Sequence, residues 1–223
     1  MIEVVDLNKS FIQNQNVISI LNNLNLTAVK GEKIGIVGQS GSGKTTFLTL
    51  MAGLEKPNSG NIKINGTDIV LLTEEELTKF RSQNLSIVFQ QYHLISHLTA
   101  LENVMLPLEI IRTKSHEAKE KAVKLLTEVG LEKRMDHFPS QLSGGECQRV
   151  AIARSLVTTP KVILADEPSG NLDQETGAKV MSLFMQIVEK YDITTLLVTH
   201  NMELAQVCNK VYRLSQGKFE KIK

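Results

Sequence analysis

The sequence predicts an α/β fold around a mainly parallel sheet, and three observations predict it. Short runs of β-branched and aliphatic residues alternate with stretches of helical spacing, which is the pattern of parallel strands joined by crossover helices. One strand pattern runs directly into a glycine-rich turn that ends in Lys-Thr and opens a helix, the layout of a phosphate-binding α/β unit. The middle of the chain carries helical spacing alone, so it reads as an insert in one domain and not as an independent second one.

Apolar residues make up 42% of the 223-residue chain and charged residues 22%. That mix builds a buried core and a solvated surface, which excludes a disordered chain. The formal charge is +1, so no global basic excess attracts nucleic acid or an acidic membrane surface. The two cysteines, Cys147 and Cys208, are too few for a disulfide framework and lack metal-ligand spacing, which fits a reducing compartment. The opening Met1-Ile-Glu-Val-Val-Asp6 places acids where a secretory leader needs cations, so the chain is expected to stay in the cytosol. Its longest apolar runs, such as Val162–Ala165, fall far short of the ~20 residues of a spanning helix.

In chain order, Ile2–Leu7 is a β-rich opening run, and Lys33–Val37 has the compact pattern of a buried strand ending at Gly38. Gly43–Ala52 is helical in pattern, with Gly53 as its terminating residue. Asn61–Gly66 alternates polar and apolar residues before a turn, and Leu85–Phe89 is a further strand, so the first ninety residues read as short strands separated by turns. From Thr99 to Thr158 the spacing turns helical. Ala118, Ala122, Leu125, Leu126 and Val129 share a face that Gly130 ends, and Val150, Ile152, Ala153 and Leu156 suit a packed helix. Strand patterns return at Val162–Ala165, Thr194–Val198 and Val211–Leu214, with a helix between the first two carrying Val180, Phe184, Ile187 and Tyr191 on one face.

Gly38-Gln-Ser40-Gly41-Ser-Gly43-Lys44-Thr45 satisfies the P-loop pattern between a strand and a helix. Its glycines let the backbone curl so that N–H groups face phosphate oxygens, and the helix adds its positive dipole end. Lys44 is expected to reach the β- and γ-phosphates, and the Thr45 hydroxyl to face Mg²⁺. Asp166 and Glu167 leave the C-terminal end of the Val162–Ala165 strand, the edge of an open α/β sheet where ligands bind. Asp166 suits Mg²⁺, and Glu167 suits the general base for an attacking water. A second anion site is expected at Leu142-Ser143-Gly144-Gly145-Glu146. There Ser143 and Glu146 fit a capping box, and two glycines leave the helix-opening N–H groups unshielded. His93 and His97 are four apart and would share a metal-facing side only on a helix.

With the P-loop and the Asp166-Glu167 strand, Leu142-Ser-Gly-Gly-Glu-Cys-Gln-Arg149 resembles the signature of ATP-binding-cassette (ABC) transporter ATPases, and further landmarks fall in order across residues 2–220. Phe11 stands where an aromatic stacks on adenine, and Gln90 where the Q-loop glutamine sits. Ser169-Gly-Asn-Leu-Asp173 resembles the D-loop, and His200 the switch histidine. The resemblance implies a RecA-like P-loop NTPase core over about 1–91 and 161–223, with an antiparallel β subdomain and an inserted α-helical subdomain over about 92–160. It implies ATP and Mg²⁺ as ligands, with Phe11, Gly38, Ser40, Gly41, Gly43, Lys44, Thr45, Thr46, Ser143, Gly144, Gly145 and Asp173 binding nucleotide. Thr45, Gln90 and Asp166 are implied at the metal, and Glu167, His200 and Gln90 in catalysis.

The resemblance further implies a head-to-tail homodimer with two ATPs between its subunits, Ser143 of one meeting the phosphate held by Lys44 of the other. The dimer would drive membrane-spanning subunits from the cytoplasmic face of the inner membrane. Glu167–Asp173 and Leu98–Pro107 resemble the branch of lipoprotein-releasing and macrolide-exporter ATPases; the alternative within it is a cell-division type that regulates extracytoplasmic cell-wall hydrolases. Ser169 replaces a threonine common in the branch. Cys147 replaces a polar residue, which would make it open to thiol reagents. Leu94, Ile95, Leu98, Leu101, Val104, Met105 and Leu106 exceed one helix face, and are divided between subdomain core and docking surface.

Overall fold

Six strands form the central sheet of the computed structural model, which describes residues 1–14 and 16–223. In spatial order they are β10 (Lys218–Lys221), β9 (Lys210–Ser215), β3 (Lys33–Val37), β8 (Thr194–Thr199), β7 (Val162–Asp166) and β6 (Leu85–Val88). The run from β9 to β6 is parallel, and β10 adds an antiparallel edge. A second, antiparallel sheet of β1 (Ile2–Gln13), β2 (Asn16–Ala28), β4 (Ser59–Ile64) and β5 (Thr67–Asp68) has the order β2-β1-β4-β5. The chain is therefore α/β with a mainly parallel sheet, a separate antiparallel sheet and helices, as the sequence predicts.

The central strands β3, β7 and β8 are buried along nearly their whole length because both of their faces are covered, whereas β9 carries Lys210, Arg213 and Ser215 and β6 carries Ser86. Successive side chains point to opposite faces, and the two halves of the core divide accordingly. Ile163, Ala165 and Leu197 join α6 (Gln174–Lys190) and the helices α3 (Ala100–Ile110), α4 (Ser115–Glu128) and α5 (Gly144–Leu156). Val162, Leu164, Leu196 and Val198 join α1 (Lys44–Met51), α2 (Glu74–Asn84) and the antiparallel sheet. The helices of the middle segment thus share one continuous core with the sheet, through Val88, Val150, Ile152 and Phe184.

The opening ninety residues depart from the short-strand reading. β1 and β2 are long partners of 12 and 13 residues, and residues 74–84 form a helix whose Thr73–Glu76 capping box starts it. Of the apolar residues divided between core and docking surface, Val104 and Met105 are buried and Leu94 and Leu101 pack against the core, while Ile95, Leu98 and Leu106 are half-buried. His93 and His97 lie on irregular chain, His93 with φ 45°, so the helical spacing that metal binding would need is absent.

Candidate nucleotide site

Four parallel strands end side by side, and each delivers part of one site. In the spatial order β3-β8-β7-β6, β3 opens into the Gly38–Gly43 loop and Lys44, and β8 is followed by His200. β7 ends in Asp166 and Glu167, and β6 leads to Phe89 and Gln90. Residues spread from 38 to 200 meet because the strands are parallel and in register, Val37 opposite Thr199 and Asp166 opposite Val198.

The loop after β3 is shaped by close approach. A Cβ on Gly38 would lie 2.6 Å from both Leu214 O and Ser42 Oγ, and one on Gly43 (φ 99°) would lie 2.8 Å from Ile20 Cγ2, whereas Gly41 (φ 78°) faces open space. Lys44 is buried and curls back over the loop, its Nζ donating to Gly38 O at 2.8 Å and Gln39 O at 2.9 Å. Ser40, Thr45 and Thr46 complete the loop and the first turn of α1. Gly43 has no side chain to cap α1, and no acid stands in its first turn, which leaves the helix start suited to an anion. Ser42 Oγ is buried without a partner among the described residues, one more donor for a phosphate oxygen. These features fit a polyphosphate.

Beside the loop, the Thr45 hydroxyl donates to Asp166 Oδ2 at 3.3 Å. Burial pushes the Asp166 carboxyl above its usual range, with Glu167 adding to the rise and Thr45 and Lys44 opposing it. A half-buried carboxylate next to a hydroxyl offers hard oxygen donors to a cation. Mg²⁺ takes few protein ligands and relies on phosphate and water, and this hydroxyl–carboxylate pair beside the phosphate loop fits such an ion.

Glu167 occupies the left-handed region, with φ 45°. It is held there by its own N–H donating to Val198 O at 2.9 Å and by Gly170 N–H donating to Glu167 O at 2.9 Å. Its Oε2 lies 2.7 Å from His200 Nδ1. Gln90 Nε2 donates to Asn171 Oδ1, and Asn171 Nδ2 donates to Gln90 O, each at 3.1 Å. Asp173 caps α6 by accepting from Thr176 N at 3.0 Å, and that bond holds its carboxyl below the usual range.

Ser143 has no hydrogen bond to this edge among the described residues. It caps α5 in a full capping box with Glu146, whose Oε2 accepts from Ser143 N at 2.8 Å while Oε1 accepts from Arg134 Nε at 3.0 Å. The backbone bond from Ser143 is the largest influence holding the Glu146 carboxyl down to about 2. Gly144 is exposed and Gly145 buried. A Cβ on Gly144 would meet Tyr92 Oη at 2.9 Å, and one on Gly145 would meet Thr176 Cγ2 at 2.6 Å. The glycine pair therefore permits close packing as well as open N–H groups. No hydrogen bond or ion pair among the described residues joins Ser143–Gly145 to the P-loop. Phe11, half exposed on the β1–β2 hairpin, pairs with Ile18 and has Lys9 Nζ 4.9 Å from its ring centroid.

Sequence reasoning missed Asn171, Arg134 and Arg154. The last donates to Tyr92 O at 2.7 Å and His93 O at 2.6 Å, tying the segment after Gln90 to α5. Only tertiary structure brings these pairs together. Cys147 reverses its expectation. It is buried with Sγ 3.6 Å from Pro139 O, and burial pushes its thiol up, with Glu146 adding to the shift, which shields it and disfavours the reactive thiolate.

The ABC transporter family model matches residues 21–170. The chain is 44% identical to the lipoprotein-releasing system ATP-binding protein LolD of Bdellovibrio bacteriovorus, covering 97% of this chain and 98% of the relative. It is 46% identical to the LolD of Treponema denticola, covering 97% and 96%. Among solved structures, the dimeric bacterial ABC transporter cassette MJ0796 matches with a TM-score of 0.90 and 39% identity, covering 100% of this chain and 99% of that one. A post-hydrolysis dimer of the same cassette, bound to ADP and Pi, matches with a TM-score of 0.90 and 38% identity. Fold, phosphate loop and full-length similarity converge: the chain belongs to the ABC transporter family, as an ATP-binding and ATP-hydrolysing cassette of the branch that contains the lipoprotein-releasing ATP-binding proteins.

Proposed function

We propose that the chain is the ATPase subunit of a lipoprotein-releasing type of transporter, working as a head-to-tail dimer on membrane-spanning subunits at the cytoplasmic face of the inner membrane. The observation that carries the reading is the division of the chain's two anion-binding helix starts. One, at Lys44, lies on the edge with Asp166, Glu167, Gln90 and His200; the other, at Ser143, has no polar tie to that edge among the described residues. A second copy turned head to tail supplies the missing half.

In this reading the P-loop N–H groups and Lys44 hold the β- and γ-phosphates, and Phe11 takes the adenine face. Lys44 releases Gly38 O and Gln39 O as it engages phosphate. Thr45, Asp166 and Gln90 would hold Mg²⁺, which, when bound, neutralises charge on the phosphates. Glu167 accepts the proton of the water that attacks the γ-phosphorus, and the P–O bond to ADP breaks. His200, in contact with Glu167 Oε2, orients that carboxylate. The partner's Ser143 helix start covers the γ-phosphate and excludes water, while Asp173 belongs to the same dimer face. One feature supports a docked partner: Phe89 lies in a surface groove with Arg81, Leu85, Ile87 and Arg154.

Copurification in mild detergent from the native membrane, with the partner identified by mass, tests the assignment. A membrane-spanning subunit carrying an extracytoplasmic domain that binds lipoprotein is the expected result. A partner that binds cell-wall hydrolases instead would overturn it.

A further inference from the structure

The reciprocal bonds between Gln90 and Asn171 fix more than a contact. The Gln90 main-chain oxygen can only accept, so the Asn171 group that faces it, 3.1 Å away, must be its amide NH₂. Asn171 Oδ1 is then left for the Gln90 side chain, and it can accept only from Nε2, which also lies 3.1 Å away. The backbone bond therefore determines which way round the Gln90 amide sits: its NH₂ is turned to Asn171, and its Oε1 is the end turned away from Asn171 and left for a ligand. Gly170 makes room for this, since a Cβ there would lie 2.8 Å from Gln90 Nε2 and 3.1 Å from its Cδ. Gly170 is itself bonded to Glu167 O. The turn that holds Glu167 thus also sets the polarity of the Gln90 amide.

We infer that Asn171 is a positioning residue: it orients the Gln90 amide so that the oxygen, and not the NH₂, is presented to the divalent cation beside Thr45 and Asp166. Only the oxygen has a lone pair for a hard cation; an amide turned the other way would set N–H hydrogens against the metal. The inference rests on the reading of Gln90 as a metal ligand. Partners that orient a ligand in this way are worth about 10–100-fold in metal affinity.

The test uses the full chain carrying Glu167→Gln, so that ATP is not consumed, and reads Mn²⁺ affinity at saturating ATP by electron paramagnetic resonance. ATP affinity in chelator serves as a metal-free control. Gln90→Ala is expected to weaken Mn²⁺ binding on the order of tenfold, and Asn171→Ala to weaken it comparably with metal-free ATP affinity unchanged. The double variant should be no weaker than Gln90→Ala alone, because Asn171 acts through that side chain. Wild-type Mn²⁺ affinity in Asn171→Ala alongside a loss in Gln90→Ala would overturn the inference and leave the ligand reading intact, and so would a further loss in the double variant. No loss in Gln90→Ala would remove the ligand reading and this inference with it. If Asn171→Ala does not fold, Gly170→Ala carries the test by pushing the same amide from the other side; unchanged Mn²⁺ affinity there counts against the inference.

Discussion

His200 Nδ1 and Glu167 Oε2 lie 2.7 Å apart, although the two residues leave different strands. Adjacent parallel strands β7 and β8 make the meeting possible, and the left-handed backbone at Glu167 (φ 45°) aims its carboxylate across the gap. A non-glycine residue in that region costs on the order of 1–3 kcal/mol and persists only where its surroundings enforce it. Here the bonds to Val198 O and from Gly170 N–H do so.

Glu167→Gln keeps the shape and the backbone bonds but removes the basic oxygen. The expected outcome is retained ATP binding with turnover reduced on the order of 10²–10⁴-fold. Nucleotide binding by fluorescence and phosphate release together check it. Turnover equal to wild type would remove Glu167 from the chemistry.

Glu146 gives a prediction with a fixed sign. Its carboxyl falls from 4.5 to about 2 in the fold, through the backbone bond from Ser143 and contacts with Arg134, against an opposing effect of burial. A depressed carboxylate stabilises the fold above the unfolded value, and that stabilisation is lost as pH falls through the folded one. Glu146→Gln keeps a capping-box residue but does not titrate. The melting-temperature advantage of the wild type over Glu146→Gln should therefore shrink between about pH 4.5 and about pH 2. A gap that stays constant across that window would show that the charged form of Glu146 adds nothing, through Ser143 or through Arg134.

What the sequence made legible follows from burial. β3, β7 and β8 are covered on both faces, so each carries a short apolar stretch that is buried throughout, Ile34–Val37, Val162–Ala165 and Leu196–Val198. β2 hides because Asn16–Ala28 buries only Leu21, Leu24, Leu26 and Ala28, and its pairing with β1 shifts register three times. α2 buries only Leu77, so helical spacing is absent and only its capping box could have revealed it. P-loop residues are contiguous and therefore readable. Asn171 is not, since its meaning comes from Gln90, 81 positions away.

Cys147 illustrates the limit of reading a site residue by its neighbours in sequence. Next to the signature glycines it invites modification, yet it faces inward on α5, buried against Pro139 O. Native protein should react with a maleimide at Cys147 far more slowly than denatured protein, with both thiols appearing on unfolding. Mass spectrometry of labelled peptides checks this. Fast labelling of native Cys147 would mean that the first turns of α5 open readily.

Lys44 and Ser143 head two different anion-binding helix starts with no hydrogen bond between them among the described residues, which leads to the last prediction, that Ser143 acts on the nucleotide of a second subunit. An ATP held only at the P-loop edge would leave its γ-phosphate partly in water, weakening the electrostatic stabilisation that phosphoryl transfer needs. Covering it with the Ser143 helix start of another copy removes that water. Mixing separates the arrangements: one chain carries Lys44→Ala, the other Ser143→Arg. If the signature works across subunits, the intact P-loop of the second chain faces the intact signature of the first, and one complete site survives. If it works within a chain, every site is defective. Coupling between sites can suppress turnover even so, which makes trapped nucleotide the better readout. A heterodimer that occludes about one ATP is expected; none, with both chains folded and paired, would sink the arrangement.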